Sequence, residues 1–437
     1  MKNFLINLGL LLLAVGAIYM WVVLSWPAAL VLVGVLLLWM FLTRSGRQAS
    51  SVTAVGVRTL PQRIGASLVI VIGIAGVVGV LVALFAMAAG FQATLKNSGS
   101  DDTAIVLRGG SQAELNSVLG REDVNVISQA PGVARDSDGK AIVSPELVVV
   151  ANLPKKSDPT IDANVQIRGV GDQAWKLQPS VKITDGRRFK PGLRELVVGK
   201  GARAQFVGLD VGRTLKLSGQ EWTIVGAFES GDSHDSELWG DTETVGGAYR
   251  RGSSVQSVTV KLQDPAAFDK FKAALASDPR VKVDVSTTRD YYASQSEQMT
   301  KTLRIVGIVV GVIMAIGALF GALNTMFAAV ATRAREIATL RALGFRGLPV
   351  VVSVMLETLL LALAGGILGG LITWLIFNGY TASTLGSNFS QVVFQFKVSP
   401  DVLWTGIKWA LAIGFIGGLF PAVRAARLPV TTALRES

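Results

Sequence analysis

The stretch TRAREIATLRALGFRG, residues 332–347, decides how the rest of the chain is read. It separates two apolar runs, 303–331 and 348–377, each long enough to cross a bilayer, which takes roughly 20 apolar residues. Between them stand Arg333, Arg335, Arg341 and Arg346 against a single acid, Glu336, an excess that places the connector on the cytoplasmic side. Its own pattern is that of an amphipathic helix. Ile337, Leu340 and Leu343, with Ala334, recur at steps of three along one face. Gly344 is placed as a helix C-terminal glycine, with Arg341 in the last turn. Two readings follow: a short surface helix shaped to dock on a partner, or a charged connector that only sets topology.

Working outward, half of the 437 residues are hydrophobic, so the chain is a membrane protein with a sizeable soluble part. It has no cysteine, which excludes disulfides, thiolate zinc sites and thiol nucleophiles, and its one histidine, His234, excludes a histidine-rich metal site. The net charge of +11 invites a nucleic-acid reading, but residues 91–302 hold 27 Lys and Arg against 27 Asp and Glu. The whole excess therefore belongs to the apolar runs and their short connectors. There it signals membrane orientation and contact with anionic lipid rather than nucleic-acid phosphate.

Taken in order, residues 4–23 and 28–42 are apolar runs broken by Ser25-Trp26-Pro27, and read as a transmembrane hairpin. A cleaved signal peptide competes for the first run, but Lys2 gives a thin basic region and no small-residue cleavage site follows. Arg44, Arg47, Arg58 and Arg63 put residues 44–65 inside, with 52–60 as an amphipathic helix along the inner surface. Residues 66–89 form the next span. Residues 91–302 then lie outside, as an α+β domain in two parts. Strands are expected at 104–107, 147–151, 165–170, 196–198, 214–217 and 222–227, with a hairpin turn at Ser218-Gly219-Gln220. A β-α-β unit follows: strand 258–262, helix 264–276 with Pro265 at its first position, strand 281–285. Residues 289–302 lack proline and glycine and read as a stalk helix continuous with the span at 303–331; a linker before a separate span is the alternative. Residues 380–401 are a short outer loop, 402–420 the last span, and Arg424, Arg427 and Arg435 hold the C-terminal end inside. The expected fold is a bundle of six transmembrane helices, an N-terminal hairpin plus a four-span core, with the α+β domain between the first two core spans. The corresponding divisions are 1–43, 44–65, 66–90, 91–288, 289–331, 332–347, 348–378, 379–401, 402–420 and 421–437.

Candidate chemistry is sparse. The sequence contains no G-x-x-x-x-G-K-[ST] phosphate loop, since Lys140 precedes Ala141 and Lys200 precedes Gly201. Ser233, His234 and Asp235 are adjacent, and contiguous side chains diverge too far to relay a proton; the segment reads as a polar loop. Its acids Asp232, Asp235, Glu237 and Asp241 lack the order of a calcium-binding hand. Gly307 and Gly311, Gly317 and Gly321, Gly365 and Gly369, Gly366 and Gly370 stand four apart within the spans, a spacing that permits close helix approach within the chain or across a dimer. Glu357 lies about two turns into its span, either as a proton or substrate site or as a carboxylate paired with a cytoplasmic arginine such as Arg341. Loss of Arg333, at the membrane edge, is expected to matter much less than reversal of Glu336.

Residues 324–347, NTMFAAVATRAREIATLRALGFRG, together with ETLLLALAGGILGGLI at 357–372 and GGLFPAVRAARLPVTTALRES at 417–437, resemble MacB/FtsX-type ABC transporter permeases. The resemblance implies that the basic helix fits a cleft of a cytoplasmic ATPase. Arg333, Arg335, Glu336, Leu340, Arg341, Leu343 and Gly344 then form the coupling interface. It implies a permease without its own nucleotide site, ATP and Mg being held by two copies of a separate ATPase, and a second permease copy, most simply a homodimer. It places the protein in the bacterial inner membrane and has it move its outer domain for efflux, with a periplasmic adaptor and an outer-membrane component, or for lipid or lipoprotein extraction. The other outcome within the resemblance is an FtsX-like regulator that passes motion to an extracytoplasmic cell-wall hydrolase.

Overall fold

The computed structural model describes residues 20–21, 24–386, 388 and 390–427. The apolar run at 4–23 and the tail residues 428–437, Arg435 included, fall almost wholly outside these. The chain divides into two units: Met1–Met87, Leu303–Asn378 and Lys397–Ser437 form one, Ala88–Thr302 and Gly379–Phe396 the other.

The first unit is helical. Helix α1 (Trp26–Leu42) begins with Pro27 in its first turn, where a missing N–H is harmless. It meets α2 (Arg44–Arg58) at a bend of 101°. Thr43 makes the corner, its hydroxyl accepting the Gly46 N–H at 2.9 Å. A Cβ on Gly46 would fall 2.0 Å from the Trp39 carbonyl oxygen, so the corner requires glycine. Helix α2 is amphipathic and buries Gly46, Ala49, Val52 and Gly56. A 3₁₀ turn, Leu60–Arg63, leads into α3 (Ile64–Asn97). Among the described residues, four helices are long and apolar enough to cross a membrane: Leu60–Asn97, Thr288–Thr332, Gly347–Phe377 and Pro400–Arg427; the bent pair α1–α2 counts as a fifth at most. Of the six expected spans, the one at 4–23 lies outside the described residues, and the one at 28–42 is the short helix α1, which turns sharply at Thr43.

The second unit holds a ten-stranded mixed sheet with α4 (Arg121–Gln129), α5 (Ala174–Leu177), α6 (Lys200–Gln205), α7 (Thr242–Ala248) and α8 (Ala267–Ser277) around it. Its strands are β1 (Thr103–Arg108), β2 (Val143–Pro154), β3 (Asp162–Val170), β4 (Lys182–Gly186), β5 (Glu195–Gly199), β6 (Thr214–Leu217), β7 (Gln220–Glu229), β8 (Glu237–Asp241), β9 (Ser257–Lys261) and β10 (Val283–Thr287). The order is β10-β1-β9-β2-β3-β8-β5-β7-β4, with β6 on β7. Strand β2 joins two halves: Val143 to Glu146 pair with β9, and Leu147 to Pro154 pair with β3. Each half has its own core, one around Val106, Val258, Val260 and Phe271, the other around Leu147, Ile167, Leu196 and Trp222. The six strands expected before residue 230 all appear, each within a few residues of its place. Ser218 and Gly219, both at positive φ, make the two-residue turn between β6 and β7. Helix α8 starts at Ala267 rather than at Pro265, with the Asp264 carboxylate accepting the Ala267 N–H at 2.9 Å. Strands β9 and β10 flank β1 rather than pairing with each other.

Two features bear on function. Helix α9 runs unbroken from Thr288 to Thr332, 45 residues, and α10 (Ala334–Ala342) follows it directly. Between α11 (Gly347–Phe377) and α12 (Pro400–Arg427), the segment expected as a loop is a β-hairpin, β11 (Thr381–Leu385) with β12 (Gln391–Gln395). The hairpin belongs to the second unit. Its Phe394 packs edge-on against Phe91 at 5.6 Å, and the Val393 N–H donates to the Ser236 hydroxyl at 2.8 Å.

Candidate coupling site

Helix α10 occupies the centre of the 332–347 stretch. Gly344, at φ +96°, ends it in a Schellman motif: the Phe345 N–H donates to the Leu340 carbonyl and the Gly344 N–H to the Arg341 carbonyl, both at 3.1 Å. Its inner face is Ile337 and Ala338, both buried. Arg335, Glu336 and Leu343 face outward, Leu343 with 73% of its surface exposed, and Leu340 and Arg341 are half-buried. The face expected at steps of three therefore divides: Ile337 packs within the chain and Leu343 is available to a partner.

Arg333 lies elsewhere than expected. It sits at the break between α9 and α10, turned inward and 8% exposed. Its Nη1 donates to Glu357 Oε2 at 2.9 Å and its Nε to Glu336 Oε2 at 3.0 Å. Glu357 Oε1 faces Arg63 Nη2 at 3.6 Å. The carboxylate is thus paired with arginine, as one reading of the sequence held, but the arginines are Arg333 and Arg63 where Arg341 was expected. The two-turn depth of Glu357 is bridged because Arg333 reaches in from the helix end.

The glycine pairs separate by partner. Helix α3 packs on Gly307, Gly311, Gly365 and Gly369: a Cβ on Gly311 would stand 2.7 Å from the Leu81 side chain, and one on Gly369 2.4 Å from the Ala75 carbonyl oxygen. Gly366 meets Ala410 and Gly370 meets Leu403, both on α12. Gly317 and Gly321 meet nothing within 4 Å among the described residues.

The second unit holds a buried ionic network that the sequence reading missed. Alternation along β3 sends Val165 and Ile167 into one core and Gln166 and Arg168 to the opposite face, beside Glu237 of β8 and Glu146 of β2. The Arg168 side chain is 3% exposed and makes five hydrogen bonds: to Glu114 at 2.8 and 3.1 Å, to Glu146 at 2.7 Å, and to Glu237 at 2.8 and 2.9 Å. Burial opposes the charge, but Glu114 and Glu237 outweigh it and hold the guanidinium well above the usual arginine range. Burial pushes the Glu146 carboxyl up, with Glu114 adding to it, while at Glu114 the Arg168 charge outweighs burial and holds the carboxyl down.

The Ser233-His234-Asp235 segment, read as a polar loop, lies largely buried beside this network. Ser233 and His234 are buried, and His234 Nδ1 stands 2.8 Å from Asp232 Oδ1, with the Tyr292 hydroxyl 3.4 Å from Nε2. Burial opposes the imidazolium, but Asp232 outweighs it and raises His234 to about 9. Asp235 instead accepts the Ser230 and Gly231 N–H groups, Asp241 accepts from Thr244 at the start of α7, and Glu237 holds Arg168. These acids thus serve separate partners, and no group of three or more metal-ligating side chains is placed to share an ion among the described residues. A cavity of about 50 Å3 borders Arg168, Glu237, Tyr292 and the hairpin's Asn388 and Ser390. Asn388 Nδ2 donates to Gln166 at 3.0 Å, and Gln166 donates to Glu237 at 2.6 Å, which ties the hairpin to the network.

Comparison with known proteins gives the following. Residues 66–278 match the MacB-like periplasmic core domain, and residues 308–430 match the FtsX-like permease C-terminal domain. The macrolide export ATP-binding/permease protein MacB of Photorhabdus laumondii is 26% identical over 312 residues, 67% of this chain and 46% of that protein. MacB 1/2 of Paracoccus denitrificans, of the same title, is 26% identical over 340 residues, 72% of this chain and 48% of that protein. The chain spans about half the length of the curated relatives it matches. The solved periplasmic region of MacB from Actinobacillus actinomycetemcomitans aligns at 18% identity and a TM-score of 0.35, over 46% of this chain and 96% of that one.

Proposed function

Since the chain belongs to the MacB/FtsX-type ABC transporter permease family, we propose that it is the membrane subunit through which a cytoplasmic ATPase drives the extracytoplasmic domain. The observation that carries this reading is α10: a short helix between two membrane-crossing helices, its inner face fixed by Ile337 and Ala338, its outer face presenting Arg335, Glu336 and Leu343. A topogenic loop has no need of a closed Schellman end or of an exposed leucine beside exposed charges. Nucleotide and Mg are bound by a separate ATPase, two copies per assembly, in keeping with a sequence that carries no phosphate loop.

Motion of α10 passes to α9, whose single 45-residue helix has its first turns in the unit of the outer sheet and its last turns at the coupling helix. Gly317 and Gly321, which pack on nothing among the described residues, leave that side of α9 open to a second permease copy. The setting is the inner membrane of a bacterium, with 332–347 in the cytoplasm. Export, the activity in the relatives' titles, is the role assigned, carried out by the outer domain with a periplasmic adaptor and an outer-membrane component.

Leu343→Asp places a charge in the buried part of the docking surface, and Glu336→Lys reverses a charge that a desolvated interface would pair, at a cost of about 2–5 kcal/mol. Both should remove the ATPase, measured as ATP hydrolysis co-purifying with the chain in mild detergent, and leave membrane insertion unchanged. Normal ATPase recovery with both variants would reduce the helix to a topological connector.

A further inference from the structure

Nothing in the local sequence explains why the long helix stops at Thr332. The residues around the break, AAVATRAREIA, include neither proline nor glycine and consist largely of good helix formers. Yet Arg333 leaves helical geometry, at φ −102° and ψ 8°, and α10 starts afresh at Ala334. A break without a local cause is held by a tertiary contact. The contact here is the inward turn of Arg333 onto Glu357.

Glu357 gathers four elements around one carboxylate. Oε2 takes the Arg333 Nη1 at 2.9 Å, at the α9–α10 break, and Arg333 Nε holds Glu336 of α10 at 3.0 Å. Oε1 faces Arg63, at the entry to α3, and Arg63 is itself steadied by the Thr59 hydroxyl at 2.9 Å. Helix α2 passes close by: a Cβ on Gly56 would lie 3.0 Å from Oε2 and 3.4 Å from the Arg333 guanidinium, tight against the pair. Two arginines face two glutamates, so the cluster is formally neutral. The space beside it is about 10 Å3, enough for no more than one water-sized molecule. A neutral cluster joining four elements, with so little space beside it, has the character of a joint rather than of a substrate site.

We propose that Glu357 is the positioning residue that sets the direction of the coupling helix, acting through Arg333, so that displacement of α10 moves α3 and α11 with it instead of being absorbed at the Arg333 break. This rests on the reading of α10 as the ATPase-coupling helix, which the test below separates from the joint itself. Arg63 has the second share of the role. Without the carboxylate, two arginines are left side by side at the base of the spans and the break loses its anchor.

The test uses the full chain, which is free of native cysteine, with a nitroxide on Thr339→Cys, an exposed position of α10. A control label goes on Ser253→Cys, exposed in the outer unit. In detergent without nucleotide, Glu357→Gln and Arg333→Gln should each shorten the rotational correlation time of the Thr339 label by about half or more, with the Ser253 label unchanged, because the anchor of α10 is gone. Glu357→Asp, which keeps the charge, should recover much of the parent value. An unchanged Thr339 label in Glu357→Gln, equal loosening of the Ser253 label, or failure of Glu357→Asp to recover anything would each overturn the assignment. A second arm adds ATP and vanadate to the chain with its co-purified ATPase. A nucleotide-linked spectral change at Thr339 in the parent that is lost in Glu357→Gln is the expected result, and a change that persists in Glu357→Gln overturns the joint. Absence of any change in the parent would count against the coupling reading of α10 and leave the nucleotide-free result to decide the joint.

Discussion

Arg168→Met removes the guanidinium bonded to three carboxylates while roughly keeping side-chain length. The side chains concerned are 1–7% exposed, so water cannot replace the lost charge. Arg168 makes five charge-assisted hydrogen bonds, and each such bond contributes roughly 1.5–3 kcal/mol when measured singly. They do not add, because all five belong to one side chain. Removing one partner of a buried ion pair costs about 3–5 kcal/mol, and leaving Glu114, Glu146 and Glu237 together puts this case at the upper end. For a domain of about 150–250 residues, 1 kcal/mol moves Tm by roughly 2–4 °C, so a fall of about 10 °C or more is expected. The assay is the near-UV circular dichroism of the full chain, which reports the buried Trp239 and Trp222. Glu146→Gln is the matched control. Burial has already raised that carboxyl towards its neutral form, and an amide still accepts from Arg168, so its loss should be several-fold smaller. Melting of Arg168→Met within about 2 °C of the parent would refute the reasoning, since it would mean the carboxylates shed their charge without structural cost.

The remaining predictions concern pH, packing and topology. His234 has its folded value raised to about 9 against an ordinary 6.5, so its stabilisation is complete below about pH 6.5 and is lost as pH rises through 9, an effect of about 3 kcal/mol. The outer domain should therefore melt progressively lower from pH 7 to 9.5, and His234→Gln should flatten that slope. Gly369→Val drives a side chain into the Ala75 carbonyl oxygen and should prevent recovery of the folded chain in detergent, whereas Gly317→Ala, facing open space, should leave monomer stability within about 0.5 kcal/mol. In inverted and right-side-out vesicles, an impermeant maleimide should reach Ser253→Cys only from the extracytoplasmic side and Thr339→Cys only from the cytoplasmic side; the reverse pattern would turn the topology over.

Residues 332–347 were legible because their information is local. A positive excess, a step of three and a glycine at the end specify a basic surface helix without reference to anything distant, and the structure returns α10 with Gly344 at its left-handed end. Most strands of the sheet were legible for the same reason, as short apolar stretches between turn residues, while β4 and β8, the latter within the segment read as a polar loop, were not. What failed were features defined by a distant partner. In β3, the order Val165, Gln166, Ile167, Arg168 is the alternation of a strand with one wet face. That face is in fact covered, by Tyr291 and Tyr292 of α9, by Glu114 and by the β11–β12 hairpin, so Gln166 and Arg168 are both buried.

The same limit applies to the hairpin and to Glu357. Thr381 to Leu385 is small and polar, with little of the branched and aromatic character that marks a strand, and its pairing with Gln391 to Gln395 is supported by contacts to residues 91, 205 and 236. For Glu357 the sequence supplied the need for a cation but not its identity. Arg333 and Arg341 stand eight residues apart, a little over two turns, and on one unbroken helix their directions would differ by only about 80°. The choice is made by the break at Arg333, which turns that side chain inward while α10 sets out on a new axis. Since no residue at the break encodes it, the carboxylate that selects Arg333 is also what keeps the break in place, and charge partner and helix direction are one feature of the fold.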